Sequence, residues 1–141
     1  MFSATRKSAD AYTQVGLETG VSGADPHKLI MMLFDGAVLS LSLASQAMKD
    51  NKIAEKGRAI SDTISIISGG LQASLDAEAG GELAQRLNAL YDYMCDRLIF
   101  ANLRNDQAAV SEVIRLLDEL RGAWAEIAKD APAISGNKEG T

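Results

Sequence analysis

The chain has 141 residues, 47% of them hydrophobic, with three Phe, three Tyr, one Trp and a formal net charge of −5. That size suits one domain burying roughly two-thirds of its unfolded surface, and with so few aromatics its core must be aliphatic. The acidic balance, with Lys and Arg scattered among acids, excludes a nucleic-acid surface, which needs basic clusters; the single cysteine, Cys95, excludes an internal disulfide and any multi-cysteine metal site, and suits a reducing compartment.

The opening "MFSATRKSADAY" has no apolar core of a targeting signal, and nowhere do about 18 uncharged apolar residues run together, so the expectation is a cytoplasmic protein without membrane insertion. Residues Met1 to Gln14 read as an arm or a short helix, and "VGLETGVSGA" (Val15 to Ala24), with three glycines, as a flexible loop. Asp25 is a good N-cap and Pro26 suits the first helical position. Apolar residues then recur at helical spacing at Ile30, Leu33, Phe34, Ala37, Leu41, Ala44 and Met48, ending at the polar turn "KDNK". A second helix is predicted from about Ile53 to Leu75, with Ile60, Ile64, Ile67, Leu71 and Leu75 on one face, and Gly80 and Gly81 break the chain after it. The third carries Leu83, Leu87, Leu90, Tyr91, Met94, Leu98 and Ala101 and stops at "RND". Asp106 caps a fourth with a seam of Val110, Val113, Leu117, Leu120, Trp124 and Ile127. "DAPAISGNKEGT", after Lys129, reads as a disordered tail.

Turns of a few residues between long helices force antiparallel neighbours, so the expected fold is all-α: an antiparallel up-down-up-down four-helix bundle. The expected organisation is an arm and glycine-bearing loop over 1–24, the bundle over 25–130 and a flexible tail over 131–141. Leu87, Leu117 and Trp124 are expected in the core.

Catalysis finds little material. A di-iron bundle needs Glu-x-x-His pairs on facing helices, and this chain has only His27, which reads as a solvated residue in a first turn. Cys95 has Asp92 and Asp96 beside it, and acidic neighbours raise a thiol pKa, the wrong direction for a nucleophile. The glycines of "SGG" and "AGGE" lack the Lys-Ser/Thr of a phosphate loop. The expectation is a protein without enzymatic activity, cofactor or metal.

The first helix is apolar beyond the one stripe a bundle helix buries. A second stripe comprises Leu29, Met32, Gly36, Leu39 and Leu43; a third flank comprises Met31, Phe34, Val38 and Leu41. Met31 and Met32 are the adaptable side chains that binding grooves favour. The second helix adds a row of smaller residues, Ala59, Thr63, Ile66, Gly70 and Ala73, and the pair Gly69-Gly70 should cost about 0.5–1 kcal/mol each relative to alanine in mid-helix. Either the pair lets another backbone approach closely, or it marks a helix irregularity with no partner. These stripes could be covered by the chain's own core, by its arm, by a second copy or by a partner helix. The residues read as a helical binding module with apolar grooves; a generic adaptor that homodimerises through its apolar face is the alternative.

Three segments, "PHKLIMMLFDGA", "LDAEAGGELAQRLNALYDYM" and "RLIFANLRNDQAAVSEV", together with the span from "AYTQV" to "RGAW", resemble the FliS family of flagellar export chaperones. The resemblance implies a cytoplasmic chaperone that binds the disordered C-terminal segment of flagellin, prevents premature polymerisation and aids type III export; for some relatives it also implies contacts with the export-gate protein or an anti-sigma factor. With the stripes it makes Leu29, Met31, Met32, Val38, Leu39, Leu43, Ile66, Gly70 and Ala73 the expected partner-binding residues. Tyr12 joins them, on an arm expected to fold back over the groove when flagellin is absent.

Overall fold

A computed structural model describes residues 25–140, with the side chains of residues 77–79 and 128–140 outside that description. The described chain is α1 (Pro26–Lys49), α2 (Ile53–Ile66, continued by a π-helical turn Ile67–Gln72), α3 (Ala77–Arg104) and α4 (Gln107–Gly140), with no strand among the described residues. The Asp25 carboxylate accepts from the Lys28 N–H at 3.1 Å, and the Asp106 carboxylate from the Ala109 N–H at 3.1 Å, so both predicted N-caps satisfy an orphan donor of the first turn. Two asparagines do the corresponding work at the exits: Asn51 and Asn105 take φ of 56° and 52°. The N–H groups after them then reach back to Ala47 O (2.9 Å) and Ala101 O (3.0 Å).

The helices form a closed square in which α1 packs on α2 and α4, and α3 on α2 and α4, leaving α1 and α3 diagonal. Side-chain ties give the direction. On the α2–α3 side, Lys56 reaches Asn102 O and Asn105 Oδ1 (3.1 and 3.2 Å), while Gln72 donates to Asn88 Oδ1 and Asp92 Oδ1 (2.8 and 2.7 Å). Early α2 thus meets late α3, and the pair is antiparallel. Lys56 is buried and places its ammonium at the C-terminal end of α3, where a cation complements the helix dipole. On the α3–α4 side, the Glu112 carboxylate accepts from Tyr93 OH (2.5 Å) and Arg97 Nε–H (2.8 Å); between α4 and α1, Arg121 Nε–H donates to Asp35. The all-α antiparallel four-helix bundle is therefore the fold.

The core is aliphatic, as so few aromatics require: Leu41, Ile60, Ile66, Ile67, Leu71, Met94, Leu98, Val110, Val113 and Leu117 have essentially no exposed surface. Leu117 lies where the seam places it, whereas Leu87 and Trp124 are half-buried at the edge of the core. The bundle's fully packed layers end before those two seams do. One element also departs from the sequence pattern: the second helix ends as a π turn at Gln72, not as a regular helix at Leu75.

Helix α1 is long and apolar enough to cross a membrane by length and composition. In this fold it is one wall of the bundle, with Leu33, Phe34, Ala37, Leu41, Ala44 and Met48 packed inward and Asp35 paired to Arg121.

Candidate functional site

Where the packed layers stop, the four elements splay around an apolar groove of about 860 Å³. One wall is the start of α1, with Leu29, Ile30 and Leu33; the floor is the π turn and its exit, with Gly69, Gly70 and Ala73. The opposite walls are the first half of α3 (Leu83, Leu87, Tyr91) and the end of α4 (Leu120, Trp124, Ile127). Three local features hold this shape. Asp25 and Pro26 start α1 at the groove's edge. A reciprocal pair then ties that start to α4: His27 Nε2 lies 2.9 Å from Trp124 O, Trp124 Nε1–H donates to His27 O at 3.0 Å, and the two rings stack at 4.4 Å and 11°. A carbonyl can only accept, so His27 carries its proton on Nε2. The third feature is Gly81, at φ 53° and ψ −129°, a conformation only glycine adopts readily; it kinks α3 just before the wall residue Leu83.

The chemistry of the groove is that of an apolar receptacle. Among the described residues, Asp76 is the only charged one lining it. The Tyr91 hydroxyl is pushed up to about 12 by burial and stays neutral. Leu83 and Ile127 remain 64% and 52% exposed on the rim, which leaves large side chains facing water where a second apolar surface would cover them. Among the described residues no group of three or more His, Cys, Asp or Glu is placed to hold a metal ion. An apolar groove walled by helices, with large side chains exposed on its rim, is the kind of surface that receives an amphipathic helix.

The family model for flagellar protein FliS matches residues 8–131. The chain belongs to the FliS family. It is 47% identical over 127 residues to the flagellar secretion chaperone FliS of Salmonella typhimurium, covering 90% of this chain and 94% of that one. It is 48% identical over 120 residues to the flagellar secretion chaperone FliS of Escherichia coli (85% and 88%), and 46% identical over 118 residues to the flagellar secretion chaperone FliSB of Pseudomonas aeruginosa (84% and 93%). FliS is a chaperone family and not an enzyme family, and a chaperone implies a client.

In this FliS-family chain the expected binding residues do not share one surface. Leu29, Gly70 and Ala73 line the groove. Met31, Met32 and Val38 are half-buried on the flanks of α1. Leu39 and Leu43 are 61% and 59% exposed but lie outside the groove, Leu43 bordering a shallow hollow of about 320 Å³ between α1 and α2. Ile66 has no exposed surface: the row it belongs to on α2 turns inward there, and the side chain is core. Tyr12 lies outside the described residues. His27 is half-buried and stacked on Trp124, not a solvated first-turn residue.

The second half of the groove, Leu83, Leu87, Tyr91, Leu120, Trp124 and Ile127, was legible only as core seam. The signal that they do more is positional. The α3 seam starts directly after the break at Gly80-Gly81, and the last residues of the α4 seam, Leu120, Trp124 and Ile127, line the same groove as Gly69-Gly70.

Proposed function

We propose that this chain is a cytoplasmic chaperone that holds the C-terminal segment of flagellin as helix in the apolar groove, keeping it from premature polymerisation before type III export. The observation that carries the reading is an open apolar groove of about 860 Å³, with a single charged lining residue among those described, in a chain of the FliS family. A segment disordered when free loses conformational entropy on binding, and burying its apolar face against Leu29, Leu83, Leu87 and Trp124 is what offsets that cost. Leu39 and Leu43, two exposed leucines one turn apart on α1, extend the proposed contact surface, with Met31, Met32 and Val38 beside them. Tyr12, on the arm before α1, is proposed as a further contact.

The same exposed leucines suit the alternative of an adaptor that pairs with itself, and one experiment separates the two. Size-exclusion chromatography with light scattering, on the chain alone and mixed with a synthetic peptide from the C-terminus of a flagellin, should show a one-to-one complex on mixing. A chain that elutes as a dimer and takes up no peptide would favour the adaptor.

A further inference from the structure

Gly70, in the floor of the groove, lies against Leu33 of α1. A Cβ built on it would stand 2.9 Å and 3.1 Å from the two δ-methyls of Leu33 and 3.5 Å from its Cγ. Real side chains essentially never make contacts under 3.0 Å, so a larger residue at 70 requires Leu33 to move. Inward movement meets the core cluster to which Leu33 belongs, whose members Ala37, Ile66, Ile67 and Leu71 have at most 1% exposure. The free direction is into the groove, which Leu33 lines.

The turn that carries Gly70 is itself unusual. Residues Ile67–Gln72 form a π turn, a rare form that occurs mostly as single turns and often at functional sites. The turn keeps Ile67 and Leu71 in the core while Gly69 and Gly70 face the groove, both without a side chain to occupy it. Two glycines in a helical segment disfavour that segment, so the arrangement gives up local stability where the cavity gains room.

We infer that Gly70 is a specificity-determining residue of the groove: by leaving Leu33 against the wall, it keeps open a depth that receives a bulky apolar side chain of the client helix. This rests on the groove being the client site. Gly70 acts through Leu33, and the test must show that route.

The experiment titrates a labelled peptide from the C-terminus of a flagellin into the full chain, its Gly70→Ala variant, Leu33→Val, and the double variant Gly70→Ala/Leu33→Val, with a thermal melt of each. Valine lacks the two methyls that a Cβ at 70 would meet. Gly70→Ala should weaken binding by about tenfold while its melting temperature holds or rises, since alanine removes a helix glycine. Leu33 is itself groove wall, so Leu33→Val serves as a second background: whatever it does to binding alone, adding Gly70→Ala to it should cost no more than about threefold. Equal binding by Gly70→Ala in the unaltered chain would overturn the inference. So would a Gly70→Ala protein that melts lower or fails to fold, or a Gly70→Ala loss as large in the Leu33→Val background as in the unaltered chain. Failure of the unaltered chain to bind the peptide would instead remove the groove reading on which the inference stands.

Discussion

Burial, with Asp92 and Asp96 adding to it, pushes the half-buried Cys95 thiol up to about 11. The thiolate is the reactive form, so at pH 8 the folded protein should be alkylated by iodoacetamide on the order of a hundredfold more slowly than the urea-unfolded chain; equal rates would mean that the side chain is not held as described. Glu112 makes the opposite case. The Tyr93 hydroxyl and then the Arg97 guanidinium hold its carboxyl below the ordinary carboxylate value, while the same bond raises the Tyr93 hydroxyl. A depressed carboxylate contributes stability above its unfolded pKa, about 4.3, and loses it as pH falls through the folded value. The raised tyrosine contributes below pH 10 or so and loses that share as pH rises. Glu112→Gln should therefore flatten the acid side of a melting-temperature profile, and an unchanged slope would show that the pair does not persist in solution. Neighbours in sequence foretold the direction for Cys95, as they foretold the caps at Asp25 and Asp106. His27 was beyond such reading, because its partner Trp124 is 97 residues away and only the closed bundle brings them together.

At the scale of elements, periodicity in α1, α3 and α4 was enough to place the helices and their inward faces, because each seam repeats at 3.6 residues over several turns. The π turn was not legible in that way. Gly69-Gly70 announced an irregularity, and the π turn is one; that the Leu33 side chain of α1 lies against Gly70 is a contact between elements that no sequence neighbour reveals. A seam also does not state where the packing around it ends. Leu117 and Leu87 look alike in sequence, yet Leu117 has no exposed surface while Leu87 is a half-buried groove wall. Leu117→Ala should cost about 2–5 kcal/mol in urea unfolding, as deletions inside a filled core do. Leu87→Ala should cost clearly less, because no closed cavity forms beside an open groove; equal losses would place Leu87 inside the packed core.

For the molecule as a whole, the pattern of exposure ties fold to function. A bundle of four long helices has a fully packed middle, and this one spends its α1 start, π turn, α3 start and α4 end on a groove instead of closing over them. The apolar excess of α1 that the sequence displays is thus divided: one face is core, Leu29 and Leu33 are groove wall, and Leu39 and Leu43 stay exposed. Whether the groove is the client site can be decided by isothermal titration of a flagellin C-terminal peptide against the full chain and its Leu83→Glu variant. Leu83 is 64% exposed on the groove rim, so the substitution should leave the melting temperature almost unchanged. The unaltered chain should bind with a large negative heat-capacity change, as apolar surface is buried, and the variant at least about tenfold more weakly. A folded Leu83→Glu protein that binds the peptide as tightly as the unaltered chain would place the client somewhere other than this groove.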